Sequence, residues 1–117
     1  MSAAPFTFAH AADGEWPALA ARCAEDLGPG NLGFLYVTDA LAPDLDAVLE
    51  RMRHLTGVED WVGAVGIGIC ATGTEYYNRP AMAAMVGDFP PGSYQVFPPV
   101  AENVSAFREG LAGWRYA

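Results

Sequence analysis

The sequence predicts an α/β (α+β) fold: a mixed β-sheet holding one βαβ unit, antiparallel strands following it, and helices packed on the sheet. Residues 43–56 carry a helical apolar stripe with a start signal and a stop signal. Two apolar runs, Leu32–Thr38 and Trp61–Cys70, flank that helix. Clusters of Gly and Pro punctuate the chain after it. A helix between two buried strands makes a βαβ unit, with parallel strands and a right-handed crossover.

Residues 1–12 are small and apolar without periodicity and read as an arm or an edge segment. Residues 15–27 read as a helix: Trp16, Leu19, Ala20, Cys23 and Leu27 share one face, with Arg22, Glu25 and Asp26 opposite. Pro17 fits the first turn, where its missing N–H costs least, and Gly28 suits a left-handed position after the helix. LGPGN is a loop, and Leu32–Thr38 reads as a strand covered on both faces.

In the helix 43–56, Leu45, Val48, Leu49, Met52 and Leu55 form the stripe. Asp44 and Asp46 sit at the positive end of the dipole, Arg51, Arg53 and His54 at the negative end, and Gly57 stops it. Residues 61–70 read as a second strand and 71–80 as a polar loop. Residues 81–89 read as a third strand, 90–93 as a turn, and Tyr94–Phe97 as a short antiparallel fourth strand. Val100, Val104, Phe107, Leu111 and Trp114 space as a last helical stripe, weakened by Gly110 and Gly113. The predicted order is α-β-α-β-β-β-α, without internal repeats or linkers.

The chain of 117 residues fits one domain, and 52 % hydrophobic residues suffice for one core. No apolar run reaches the ~18 residues of a membrane span. The N-terminus lacks a basic start followed by an apolar stretch, so no signal peptide and a cytoplasmic location are expected. A formal net charge of −8, with six Arg and no Lys, opposes nucleic acid and anionic membranes as partners.

Gly66, Gly68 and Gly73 depart from the dinucleotide spacing and no helix opens behind them, so close backbone approach or a bulge in a crowded strand explains them better. Cys23, Cys70, His10 and His54 show no zinc spacing, and no metal site is expected. Asp44, Asp46, Glu50, Glu59 and Asp60 lack the alternation of a calcium loop and read as a solvated helix face. Cys70 reads either as a nucleophile needing a nearby base or as a buried thiol. His10 and His54 could each ligate haem iron or a metal, but His54 reads better as a helix C-terminal cation near Glu50, and His10 sits in an apolar arm without an assignable partner.

The segment 71–79 concentrates chemistry: two tyrosines beside a carboxylate, an amide and a guanidinium can line a pocket for a small polar molecule. The candidate ligand-binding residues are Cys70, at the end of the preceding strand, and Gly73, Glu75, Tyr76, Tyr77, Asn78 and Arg79, with the glycine strand as a wall. The alternative is a solvated hairpin whose tyrosines cover the core edge and whose Glu75 and Arg79 pair.

Three pieces stand in order: Gly33–Asp39 (GFLYVTD), Trp61–Cys70 (WVGAVGIGIC), and Glu75-Tyr76-Tyr77 through Pro80-Ala81-Met82 to Met85-Val86-Gly87. Through them residues 30–97 resemble the FIST N-terminal domain. The resemblance implies a cytoplasmic sensory domain of bacterial signal transduction, not an enzyme, that binds a small ligand such as an amino acid and works with signalling proteins. Some such proteins resemble haem-based nitric oxide sensors, which makes haem the alternative ligand. A small enzyme using Cys70 or Glu75 is the other alternative. FIST proteins are usually longer, so the remainder of such a protein is an expected partner, and open sheet edges are expected to favour a homodimer.

Overall fold

The computed structural model describes residues 6–98 and 104–115. The chain runs β1 (Phe6–Ala12), α1 (Trp16–Glu25), β2 (Leu32–Thr38), a 3-10 segment (Asp39–Asp44), α2 (Leu45–Thr56), β3 (Asp60–Gly66), β4 (Gly68–Ala71), β5 (Thr74–Tyr77), β6 (Ala81–Gly87) and α3 (Ser105–Arg115). Four strands form a mixed sheet in the order β1-β6-β2-β3, and β4 and β5 form a separate hairpin. β2 and β3 are parallel with α2 between them, which is the expected βαβ unit. β6 is antiparallel to both β1 and β2.

Strand alternation divides the sheet into two unlike faces. Ala9, Ala11, Leu35, Val37, Met82, Ala84 and Val86 point to the helices, where Leu19, Ala20 and Cys23 of α1 and Val48 and Met52 of α2 bury them. Fully burying a side chain such as Met52 contributes roughly 2 kcal/mol. The 3-10 segment carries Pro43, so α2 proper begins at Leu45, later than the sequence suggests. Gly57 closes α2 in the left-handed conformation, as expected. Leu55, assigned to the buried stripe, is exposed.

Opposite the helices, Ile69 and Tyr76 of the hairpin pack on Ala81 and Ala83, with Ala12 and Ala71 beside them. This covers only part of that face. The register places His10, Ala83, Tyr36 and Ala64 in one row across the sheet, and Phe8, Met85, Phe34 and Val62 in the next. Phe8, Tyr36 and Val62 are exposed. β2 is therefore covered on one face and only partly on the other.

Several expectations are corrected. The run 61–70 is not one strand: it breaks at Ile67, which is 76 % exposed. The fold there is so tight that a Cβ on Gly66 would sit 2.8 Å from the Gly68 carbonyl oxygen, so the glycines permit a sharp departure from the sheet. Residues 71–80 are not a loop but mostly hairpin, closed by a two-residue turn with Gly73 at φ 78°. Tyr94–Phe97 form no strand, because β6 already has β1 on one edge and β2 on the other. Gly28 is not left-handed; its N–H donates to Thr7 Oγ1 at 2.9 Å. The arm contains the edge strand β1. Its residues 1–5, and Val100 of the last stripe, lie outside the described residues.

Asn31 ties down the segment after β6. Its Oδ1 accepts from the Phe89 N–H at 2.9 Å and its Nδ2 donates to the Phe89 carbonyl at 2.8 Å. The Tyr94 hydroxyl donates back to the Asn31 carbonyl and to Asp60, each at 3.0 Å. Desolvation and the Asp60 carboxylate raise the Tyr94 phenol above its ordinary 10. Removing both amide bonds with Asn31→Ala is expected to cost about 2 kcal/mol, read from the urea midpoint at unchanged m-value.

Candidate functional site

The hairpin positions the candidate residues by simple alternation. Ile69 pairs with Tyr76 and Cys70 with Glu75. Ile69 and Tyr76 turn inward to the sheet and are buried, while Cys70, Glu75 and Tyr77 stay exposed. Gly73 forms the turn tip. A Cβ on Gly68 would collide with the Tyr77 ring, so this glycine lets that ring lie across β4. Asn78 is left-handed at φ 57°, a conformation Asn tolerates, and it redirects the chain from β5 toward β6.

Tyr76 and Arg79 join His10, which the sequence left without a partner, and Asp13. The Tyr76 hydroxyl and His10 Nδ1 are 2.6 Å apart. Arg79 stacks on the Tyr76 ring, 4.8 Å from its centroid, and Nη1 lies 3.2 Å from the Asp13 carboxylate. The Asp13 N–H donates to the Pro80 carbonyl at 2.9 Å. Arg79 therefore pairs with Asp13, not with Glu75. Its two side-chain partners, an aromatic face and a carboxylate, come from separate elements, β5 and the β1 exit. From below, the buried Thr38 hydroxyl donates to the Arg79 carbonyl at 2.8 Å and accepts from the Ala81 N–H at 2.9 Å.

Where the chain leaves β3 for β4, a hollow of about 340 Å³ opens. Tyr36, Ala64, Val65, Gly66, Gly68, Ile69 and Cys70 line it. Of the predicted ligand-binding residues, the structure puts Cys70 on this wall. It puts Tyr76 and Arg79 in the His10–Asp13 cluster, and Gly73, Glu75, Tyr77 and Asn78 on the hairpin's turn, outer face and exit. The set is thus divided between two places.

Sequence reasoning missed Tyr36 and Asp13, and it weighed His10 without finding its partner. Tyr36 was visible as the one phenol inside an apolar run. His10 and Tyr76 are 66 residues apart, and no local pattern links them.

The two cysteines differ sharply. Cys23 is buried, and burial pushes its thiol up from 9.0 to about 12, with Arg22 opposing and Asp26 adding to the shift. Cys70 is free and exposed. At pH 8 a thiol reagent is expected to label Cys70 alone, with Cys23 reacting only in denaturant. Because folding raises the Cys23 value, its contribution to stability is complete below pH 9 and is lost as pH rises toward 12. Labelling of Cys23 in the native state at pH 8 would contradict this packing.

Among the described residues, no group of three or more His, Cys, Asp or Glu side chains is arranged to hold a metal ion. His54 lines a polar hollow with Glu50, Arg53, Glu59 and Asp60, away from the hairpin residues. No described helix is long and apolar enough to cross a membrane.

In comparisons with known proteins, no family model, no curated protein and no solved structure matches this chain.

Proposed function

We propose that this protein is a cytoplasmic sensory module of bacterial signal transduction, binding a small molecule in the hollow between Tyr36 and Cys70. The carrying observation is the stepped second face of the sheet. The hairpin covers one part of it and leaves an aromatic and aliphatic floor beside a concave wall. Pockets of this kind combine apolar walls with a few polar groups that fix orientation. Here the polar groups are the Tyr36 hydroxyl, the Cys70 thiol and the backbone of Gly66 and Gly68. That set suits an amino acid or a similar metabolite with an apolar body. The signalling role rests on the resemblance of residues 30–97 to the FIST N-terminal domain, and with it the expected signalling partners.

A non-enzymatic role accords with the surroundings of Cys70 and Glu75. They face each other across the hairpin, whereas His10 is engaged by Tyr76 and His54 lies beside Asp60. A Cys70 nucleophile would call for a histidine base beside it, and both histidines lie elsewhere.

Haem is the second candidate ligand, and His10 favours it by one observation. In the tautomer whose Nδ1–H donates to the Tyr76 hydroxyl, the Nε2 lone pair is left for a metal, two residues along β1 from the exposed Phe8. His54, among charged groups, does not fit an apolar haem pocket.

Thermal melting against amino acids, small metabolites and haem separates these roles. A ligand of the folded state raises Tm with concentration. The small-metabolite site predicts a shift from one member of the panel that Tyr36→Ala removes. Haem predicts a Soret band lost in His10→Ala and kept in His54→Ala. A cooperative melt that no compound moves would end both.

A further inference from the structure

The helix-facing side holds a second hollow, of about 350 Å³, that lies along the free edge of the sheet. Leu35, Leu45, Leu49, Trp61, Val96 and Phe97 give it apolar walls, and the backbone of Val62–Ala64 forms its margin. β3 ends the sheet, and among the described residues its one ladder partner is β2. Val62, Gly63, Ala64 and Val65 are exposed.

We propose that the outer edge of β3 binds an extended apolar peptide, neutral or basic, as a fifth strand of the sheet. This site is separate from the hairpin hollow and does not depend on its ligand. An edge strand presents a row of unpaired N–H and C=O groups, and proteins usually blunt it with Lys, Pro or inward charge. The strand DWVGAVG carries only Asp60, at its start. A peptide laid against it forms the missing ladder. Alternate side chains then enter the apolar hollow, and the intervening ones lie beside Val62 on the opposite face.

Charge and room select a peptide over a second copy of the chain. Asp44 and Asp46 stand at the start of α2, and Glu50, Glu59 and Asp60 line a polar hollow with Arg53 and His54 toward its other end. The nearby Arg53 is already engaged, by Glu50 at 3.9 Å and by the Glu59 carbonyl at 3.0 Å. This acidic rim, on a chain of net charge −8, repels another copy and attracts a neutral or basic ligand. Val96 and Phe97 stand beside the edge, so the opening is a slot that a single strand fills. A stable symmetric dimer needs a flank of about 800 Å² on each partner.

The test titrates the capped peptide acetyl-KVAVK-amide into the ¹⁵N-labelled chain. Saturable shifts are expected at the amides of Val62, Gly63 and Ala64. Methylating two successive backbone nitrogens at the peptide's centre removes one ladder donor in either register and is expected to weaken binding about tenfold. Acetyl-EVAVE-amide is expected to bind about tenfold more weakly at low salt, with the difference closing as salt rises. Leu49→Arg fills the slot and repels the lysines, and is expected to abolish the shifts; the methylated peptide tests the same contact on the unaltered chain. The proposal is overturned by no shift at about 1 mM peptide. Equal binding of the methylated peptide, or shifts confined to Tyr36 and Cys70, would also overturn it. So would a dimer whose β3 amides are protected from exchange without peptide, since a second copy would then occupy the edge.

Discussion

Gly63→Ala is expected to destabilise the protein by about 3 kcal/mol or more, at the upper end of what overpacking costs. Gly63 lies opposite Leu35 in the parallel ladder of β2 and β3. A Cβ there would land on the Leu35 carbonyl oxygen, with the Leu35 carbonyl carbon 2.7 Å away. These are backbone atoms of the neighbouring strand and cannot swing aside like the end of a side chain. The strands must separate, which weakens the ladder that anchors the βαβ unit. Against a typical domain stability of about 5–15 kcal/mol, such a loss is large. The control is Gly73→Ala at the hairpin tip. There φ is 78° and no heavy atom lies within 4 Å of the added methyl, so only the left-handed penalty of about 1 kcal/mol is expected. Urea midpoints of the two variants measured side by side test the difference. Equal midpoints would mean that β3 does not approach β2 as described.

Thr38→Val is expected to cost about 2–3 kcal/mol despite the similar shape of the two side chains. Thr38 is fully buried, and its hydroxyl serves three backbone groups. It donates to the carbonyls of Arg79, at 2.8 Å, and Ala81, at 3.4 Å, and accepts from the Ala81 N–H at 2.9 Å. Valine would leave that N–H buried without a partner, which costs more than the mean value of a hydrogen bond. The loss also frees the segment that places Arg79 against Tyr76. Exchange of the Ala81 amide should therefore accelerate more than global unfolding accounts for, whereas Thr38→Ser should keep it slow. A Thr38→Val variant of unchanged stability would show that Thr38 does not pin the start of β6.

The parts of the fold legible in the sequence are those fixed by local periodicity and end signals. The helix read over residues 43–56 announced itself through the Val48–Met52 stripe, the acidic start and Gly57, and only its first turn proved to be 3-10. The flanking runs then implied the parallel pair. What stayed hidden depends on partners distant in sequence. FTFAHAA alternates, but alanines fill both faces, so hydrophobic contrast is too low to show an edge strand. The hairpin was weighed as the alternative to a binding loop. Tyr76 and Tyr77 look alike in sequence, and only the pairing of Ile69 with Tyr76 decides which one faces the sheet. The break at Ile67 was masked because the whole run is apolar. Its glycines were read correctly as marking close approach, yet which backbone approaches which is a tertiary fact. For the same reason the candidate residues clustered in sequence but separated in space, and Tyr36, His10 and Asp13 entered from other elements.

The measurement that bears most directly on the proposed site is the alkylation rate of Cys70, with and without a compound that raises Tm. Cys70 lines the hollow and is exposed, so it reports occupancy without any change to the protein. A ligand seated between Tyr36 and Cys70 should slow alkylation about tenfold at ten times its dissociation constant, following simple mass action. An unchanged rate at a concentration that fully stabilises the fold would contradict the account, because the stabilising ligand would then be bound elsewhere.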